Sequence, residues 1–215
     1  IPYYRIVNQC IAERLGGLHS ARVLLYSVDF HDIERLQHSG NWTDAGRLLA
    51  EAARRLETAG ADFIILCTNT MHKVAPEIEA AVAIPLLHIA DPTALAIKAA
   101  GCRRVGLLGT RFTMAEPFYR ERLQNLHGLE VLVPEEGEQA EVHRIIYQEL
   151  CRGQVRQQSA GRFRQIIARL VERGAQAIIL GCTEISMLVS PGDAAVPLFD
   201  TTELHARSAA ERALG

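Results

Sequence analysis

The chain has 215 residues, of which 48% are hydrophobic and 22% charged, and its formal net charge is -2 at pH 7. This composition is typical of globular proteins. The near-neutral charge argues against a dedicated nucleic-acid binder, because no basic stripe could neutralise phosphates. No apolar run reaches the roughly 18 residues that a membrane helix needs. We therefore expect neither nucleic acid nor membrane as a partner.

Six short apolar runs, most of them rich in β-branched residues, predict buried parallel strands. They are Ala21–Val28, Asp62–Leu66, Leu86–Ile89, Val105–Leu108, Val131–Val133 and Ala177–Leu180. The clearest helical patterns between them are Asp44–Ala59, Glu141–Cys151 and Ala160–Arg173. Strands that alternate with helices indicate crossover connections and mainly parallel sheets with helices on both faces. We therefore predict an α/β fold.

The chain contains an internal repeat. Glu57–Cys67 resembles Glu172–Cys182: in each, a helix ends at a Gly-Ala turn, a buried strand follows, and a Cys-Thr pair stands at the carboxyl end of the strand. The repeat predicts two pseudo-symmetric, Rossmann-like (flavodoxin-like) domains with parallel sheets and the active site between them. We expect residues 1–92, joined by 197–215, to form the first domain and residues 93–196 the second.

The repeat also bears on the beginning of the first domain. Val105–Thr110 opens the second unit, which reaches Cys182 after 77 residues, and the same count back from Cys67 ends about ten residues before Ile1. We therefore expect a first strand and its loop to lie upstream of Ile1. Pro2–Tyr4 would then form the first turn of the helix that follows this loop.

The cysteines are odd in number and include no C-x-x-C pair, so they indicate neither a disulfide framework nor a zinc ribbon. They are Cys10, Cys67, Cys102, Cys151 and Cys182. Their free thiols favour a reducing, cytoplasmic setting. A free cysteine is often simply buried, but Cys67 and Cys182 share their position, their following threonine and adjoining polar donors. The other three lack this context, and we expect them to be structural.

The segment Cys67–Thr70 combines a thiol with hydroxyl and amide groups where a strand gives way to a helix, the place where open α/β sheets bind ligands. The unpaired N–H groups and positive dipole end of a helix start suit a carboxylate. They should also lower the cysteine pKa from its reference of about 8.5. Cys182–Glu184 repeats the arrangement with fewer donors.

Two cysteines that approach one ligand from opposite halves favour proton transfer at the α-carbon of an amino acid. One thiolate would remove the α-proton, and the other thiol would return a proton to the opposite face. Each sulfur would need to lie about 3–3.5 Å from the α-carbon. The histidines are not spaced as a metal-binding set, and no lysine stands in a Schiff-base setting.

Three segments resemble the aspartate/glutamate racemase family, and most nearly its bacterial broad-specificity amino-acid racemases. Ile64–Lys73 and Ile178–Leu188 are similar to the two cysteine signatures, and Asp200–Ala206 is similar to the closing D-T-T-x-x-H-A element. The likeness runs through essentially the whole chain. It implies racemisation without pyridoxal phosphate, metal or nucleotide, with Cys67 and Cys182 as the acid/base pair. It also implies a small-molecule amino-acid substrate and a homo-oligomer.

The resemblance implies that four residues next to the cysteines hold the α-carboxylate of the substrate. They are Thr68, Asn69, Thr70 and Thr183. Glu184 would contact the amino group or orient the thiol, or it is only a carboxylate favoured by a helix start. Thr110, in the counterpart of the upstream loop, would contact the substrate or cap a helix.

The histidines near these segments have supporting roles in this interpretation. His72 would lie about one turn into the helix after Cys67, where it would steady a thiolate or a carboxylate, or simply cap or pack. His88 would face the cleft or form a structural hydrogen bond. His205 belongs to the closing element, and we expect it behind the residues that touch the substrate.

Two cations that aspartate-specific racemases have in common are missing. Their lysine lies in an I-Y-E-E-[IL]-K-x-G context, whereas Ile146–Gly153 has Cys151 at that position. They also carry an arginine shortly after the second strand, and Tyr26–Glu34 has none. A broader or different substrate range is therefore favoured over strict aspartate specificity. Arg35 or Arg152 could compensate from a neighbouring position.

Other functions stay open at this point. An aspartate-specific racemase is one, and a decarboxylase or isomerase of the same fold, which need not keep two acid/base cysteines, is another. A non-catalytic amino-acid-binding module would need the carboxylate donors but not both thiols. A dinucleotide site is not favoured, because Val105–Gly109 has only G-x-x-G.

Overall fold

Two parallel β-sheets organise the chain in the computed structural model, which describes residues 1–215. The smaller sheet pairs β1 (Ile64–Ile65) with β2 (Leu86–Leu87). The larger has the order β4-β3-β5-β6. Its strands are β3 (Arg104–Gly109), β4 (Glu130–Leu132), β5 (Ala177–Gly181) and β6 (Leu198–Asp200). Every strand pair is parallel, which confirms the predicted α/β fold.

Ten α-helices connect and cover the strands. They are α1 (Pro2–Leu15), α2 (Phe30–Ser39), α3 (Trp42–Thr58), α4 (Ala75–Glu79), α5 (Ala90–Ala99), α6 (Arg111–Ala115), α7 (Pro117–His127), α8 (Glu136–Gln148), α9 (Gln157–Glu172) and α10 (Thr201–Leu214). The three predicted helices correspond to α3, α8 and α9 with shifted ends. Pro2 begins α1 as expected, since its fixed φ suits the first turn of a helix. None of the helices is both long and apolar enough to cross a membrane.

One predicted strand was wrong. Residues 21–28 form no strand, and Val23, Leu24 and Leu25 are exposed. A strand is held by its hydrogen-bond ladder to a neighbour, and residues 21–28 pair with neither of the two sheets. β6 (Leu198–Asp200), in contrast, was not predicted; it pairs with β5 at the edge of the larger sheet.

The core of the larger sheet lies on both of its faces. Helices α8 and α9 cover one face around Ile145 and Phe163, and α5 and α7 cover the other around Ile97 and Leu123. The C-terminal helix α10 packs instead on α1, where Ala206 and Ala210 share an apolar cluster with Val7. The chain thus returns to its first helix, while the division into residues 1–92 with 197–215 and 93–196 stays a prediction.

Three buried histidines pack together beside the smaller sheet. The ring centroid of His72 lies 4.3 Å from that of His88 and 6.1 Å from that of His205. Burial lowers the pKa of all three, to about 3 for His88 and about 4 for His205, and the neighbouring imidazoles add to the effect on His72. The folded protein therefore keeps this cluster neutral.

The neutral cluster makes the free energy of unfolding fall as the pH drops from 6.5 towards 4. In that window the unfolded chain binds protons at histidines with pKa near 6.5, and the folded chain does not. Well below pH 6.5, each such histidine lowers the free energy of unfolding by about 1.4 kcal/mol for every unit by which the pH falls. We expect urea titrations at pH 7.5, 6 and 5 to show this fall.

A matched pair of variants isolates the contribution of the cluster from that of the carboxylates. In His88→Asn, the slope of the free energy of unfolding against pH should decrease by the equivalent of about one bound proton. His19→Asn, at an exposed position, should leave it unchanged. Equal pH dependence in wild type and His88→Asn would show that the cluster is protonated in the folded state.

Candidate active site

Cys67 lies on the loop that follows β1, and its residue is exposed. The loop turns sharply, since the Thr68 N–H donates to the Leu66 carbonyl at 2.8 Å, and a 3₁₀ helix of five residues begins at Thr70. His72 stabilises the turn through two hydrogen bonds. Its Nδ1 donates to the Thr68 carbonyl at 2.7 Å, and its Nε2 accepts from the Ile89 N–H at 3.2 Å. His72 therefore fixes the loop beside Cys67 rather than facing an open cleft.

Asn69 connects the Cys67 loop to the strand that leads to Cys182. Its side-chain Nδ2 donates to Thr201 Oγ1 at 3.0 Å, and that hydroxyl donates to the Leu180 carbonyl at 3.0 Å. All of these contacts are buried. The other amide atom, Asn69 Oδ1, is buried and has no hydrogen-bond partner. A buried acceptor without a donor is costly, so this atom has the chemistry of a ligand-binding group.

Cys182 follows β5 directly and is buried. Its Sγ donates to Glu184 Oε2 at 3.0 Å, and the Thr183 hydroxyl donates to the same carboxylate oxygen. Glu184 therefore orients the thiol and offers a nearby acceptor for its proton. Of the three alternatives predicted for Glu184, this contact matches the orientation of the thiol.

Three buried threonine hydroxyls meet between the Cys67 loop and the end of β3. Thr70 Oγ1 lies 2.9 Å from Thr110 Oγ1 and 3.3 Å from Thr113 Oγ1. Thr110 is also the N-cap of α6, because its hydroxyl accepts from the Thr113 N–H. Thr110 therefore fills the cap role and faces the Cys67 loop at the same time. Thr68 and Thr183 stand immediately after the two cysteines.

The expectation that helix starts lower the cysteine pKa was wrong. Partial withdrawal of the Cys67 thiol from water raises its pKa to about 11, although the residue as a whole is exposed. Burial raises the pKa of Cys182 well above its ordinary value, and the charge of Glu184 adds to the rise. The segments after both cysteines are 3₁₀ helices of five and three residues, too short to offer the dipole of an α-helix.

His205 lies behind the site. Its Nε2 donates to the Leu87 carbonyl at 2.8 Å, so its Nδ1 accepts from the Tyr3 hydroxyl at 2.8 Å. The side chain is fully buried, and it connects α10 to β2 and α1. This position corresponds to the supporting role expected for it. His88, which could have faced the cleft, is buried, and its Nδ1 accepts from the Ala90 N–H at 3.2 Å.

Sequence reasoning missed a polar connection through Tyr147. Its hydroxyl donates to Gln37 Oε1 at 2.7 Å, and the buried Gln37 donates from Nε2 to Met71 Sδ at 2.9 Å. Burial raises the pKa of Tyr147, and the thiols of Cys151 and Cys182 add to the rise. This side chain thus lies within electrostatic reach of Cys182 and reaches across to the helix after Cys67. The I-Y-x-E context around Tyr147 was the only signal in the sequence.

Three cysteines were expected to be structural, and only Cys102 is buried. Cys151 is exposed; burial of its thiol raises the pKa to about 11, and the nearby charge of Glu184 adds to the rise. Cys151 lies in the 3₁₀ helix that extends α8, within electrostatic reach of Glu184 and Cys182. No three His, Cys, Asp or Glu side chains converge as a metal-binding set would.

An ion pair and a cation–π contact, both made by Lys73, also hold the segment after Cys67 in place. Lys73 forms an ion pair with Glu116, the residue between these two helices. Its ammonium also lies 3.9 Å from the ring centroid of Trp42, a cation–π distance. The Trp42 ring in turn meets Phe112 edge to face at 5.3 Å. The segment after Cys67 is thus held by Glu116 between α6 and α7 and by Trp42 on α3.

Comparison with known proteins agrees with these features. The chain is similar to the broad specificity amino-acid racemase RacX of Bacillus subtilis (strain 168), with 28% identity over 162 residues, 75% of this chain and 69% of that protein. A solved structure from Yersinia pestis, provisionally described as an Asp/Glu racemase, is 55% identical with a TM-score of 0.93, covering 100% of this chain and 93% of that one. An aspartate racemase homologue from Pyrococcus horikoshii OT3 is 34% identical with a TM-score of 0.82, covering 99% and 93%.

The family described as Asp/Glu/hydantoin racemase matches residues 1–209. This match includes both cysteine segments and most of α10, so the site and the fold around it lie within the family. The chain belongs to the Asp/Glu/hydantoin racemase family and is an isomerase of the amino-acid racemase class.

Proposed function

We propose that this protein interconverts L- and D-amino acids by proton transfer between Cys67 and Cys182, without pyridoxal phosphate, metal or nucleotide. The observation that carries the proposal is the hydrogen bond from the Cys182 thiol to Glu184, at the strand end that the internal repeat matches to Cys67. Each cysteine would act on one face of the substrate α-carbon. The Asn69–Thr201–Leu180 hydrogen bonds hold the two strand ends in one arrangement.

The reaction needs one thiolate and one thiol at the start. When Cys182 is the base, Glu184 accepts the thiol proton, the thiolate removes the α-proton, and the Cys67 thiol donates a proton to the opposite face. The roles of the two sulfurs exchange for the other enantiomer. The raised thiol pKa values are consistent with a site that ionises when a substrate ammonium enters, because a nearby positive charge favours a thiolate.

The polar residues around the cysteines supply groups for the substrate backbone. The Asn69 Nδ2 already donates to Thr201, so in place of the predicted contact with the α-carboxylate we propose that the unpartnered Asn69 Oδ1 accepts from the α-ammonium group. The hydroxyls of Thr68, Thr70, Thr110 and Thr183 would bind the α-carboxylate. Because none of these contacts involves the substrate side chain, they suit many amino acids equally.

A broad substrate range is favoured because neither Arg35 nor Arg152 takes the place of the two missing cations. Arg35 lies 3.8 Å from Asp32 and is exposed. Arg152 lines a separate cavity whose lining includes neither catalytic cysteine. Five free thiols also suit the cytoplasmic setting that we propose. The homo-oligomer remains a prediction.

Replacing either cysteine should abolish racemisation. In Cys67→Ser and Cys182→Ser we expect a loss of at least about 100-fold, because each variant lacks one of the two proton-transfer groups. Each variant should still exchange the α-proton of one enantiomer for deuterium, and the two variants should prefer opposite enantiomers. Proton NMR in heavy water, together with optical rotation, measures both effects.

Cys10→Ser is the matched control, since Cys10 lies on α1 beside Arg207 and is remote from the repeat positions. It should racemise at the wild-type rate. Full racemisation by both site variants would refute the two-base mechanism. Carbon dioxide release, or tight amino-acid binding without turnover, would instead indicate a decarboxylase or a binding module.

Glu184→Gln should separate the two effects of the carboxylate on Cys182. Without the negative charge, the pKa of Cys182 falls, so its alkylation by iodoacetamide begins at lower pH. Racemisation should nevertheless drop by about 100-fold, because the proton acceptor is lost. Mass spectrometry of the Cys182 peptide gives the alkylation rate, and Glu184→Asp should restore part of the activity. An unchanged alkylation profile would show that Glu184 does not act on the thiol.

A racemisation screen of all common L- and D-amino acids tests the substrate range. We expect several amino acids to turn over at comparable kcat/KM, because the site lacks a fixed cation for a side-chain carboxylate. Turnover of aspartate alone would contradict the broad range while leaving the cysteine mechanism intact.

A further inference from the structure

A polar cavity of about 330 Å³ opens where α8 ends and α9 begins. Its lining contains no hydrophobic side chain and consists of Arg144, Gln148, Glu149, Arg152, Gln154 and Arg156. The lining residues come from the last turn of α8, the following 3₁₀ helix and the loop before α9. None of them belongs to the proposed substrate site, so the cavity needs an explanation of its own.

The cavity carries more positive charge than its own carboxylate can neutralise. Arg144 and Arg156 share Glu149, with N···O distances of 3.0 and 3.9 Å. Arg152 has no carboxylate partner in the structure. Three guanidinium groups around one carboxylate leave an excess of two positive charges.

Three arginines of the neighbouring helix α9 are paired one to one. Arg162 forms a two-pronged ion pair with Glu141, Arg164 lies 3.0 Å from Asp193, and Arg169 pairs with Glu138. Among the arginines of α8, α9 and the segment between them, the excess positive charge therefore lies at the cavity.

The cavity is built around a buried group. Glu149 is only 3% exposed, and the Ser159 hydroxyl donates to its Oε2 at 2.6 Å. The N–H groups of Arg152 and Gln154 both donate to its backbone carbonyl, at 3.0 and 2.9 Å. Glu149 thus fixes both the loop and two of the arginines, and an incoming anion would meet guanidinium groups that are already positioned.

We propose that this cavity is a binding site for a phosphate dianion, either as the free ion or as a phosphate monoester. A dianion matches the excess of two charges, which a single carboxylate would not. The three oxygens of a phosphoryl group suit several guanidinium forks, whose paired N–H donors bind phosphate bidentately. The amides of Gln148 and Gln154 add donors at the rim. This proposal does not depend on the racemase activity.

Isothermal titration of the full chain with inorganic phosphate, at constant ionic strength and pH 7.5, tests the site. We expect saturable binding with one phosphate per chain. Arg152→Gln/Arg156→Gln should weaken it by at least about tenfold, since two charge-assisted contacts are lost. Arg152→Gln alone removes no ion pair of the fold and should weaken binding as well.

Arg22→Gln/Arg103→Gln is the matched control, because it removes two exposed arginines without ion-pair partners elsewhere on the surface. It should bind phosphate like the wild type. Circular dichroism and melting in phosphate-free buffer verify that every variant is folded. No saturable binding, or equal weakening in both double variants, would overturn the proposal.

Competition by glycerol phosphate separates the two forms of the ligand. Displacement of phosphate by the ester at similar or lower concentration would assign the cavity to phosphorylated metabolites. Failure of the ester to compete, with phosphate still bound, would assign it to the free ion. Either outcome supports a phosphate site at this position.

Discussion

The buried hydrogen bonds from Asn69 to Thr201 and from Thr201 to the Leu180 carbonyl are the constraint on which the site depends. They join the loop after one cysteine to the strand before the other, through the first residue of the C-terminal helix. The proposed two-base chemistry would tolerate little change in the separation of the two sulfurs. A buried path of directional bonds limits that change more strictly than apolar packing alone.

The close approach of β3 and β5 serves the same geometry. Gly109 pairs with Gly181 at the carboxyl edge of the larger sheet. A Cβ on Gly109 would lie 2.8 Å from the Gly181 carbonyl oxygen, and one on Gly181 would lie 2.8 Å from the Leu108 carbonyl oxygen. These two positions therefore require glycine. Thr110 and Cys182, the next residues of the two strands, then begin from the same edge.

Proton affinity in this molecule follows from burial rather than from helix ends. Desolvation disfavours the charged form of any side chain. It keeps His72, His88 and His205 neutral and keeps the thiols of Cys67 and Cys182 protonated. The free site is thus uncharged at both sulfurs, and a charged ligand changes their ionisation most strongly.

The sequence by itself determined the α/β class, helices α3, α8 and α9, and the two matched strand ends with their Cys-Thr pairs, because periodicity and turn residues are local properties. It predicted residues 21–28 as a strand, whereas the tertiary structure pairs them with neither sheet. The hydrogen bond from Tyr147 to Gln37 likewise joins residues that are distant in the chain. Burial and long-range contacts determine hydrogen-bond partners and pKa values. Neither can be predicted from the local sequence pattern, because both depend on the tertiary structure.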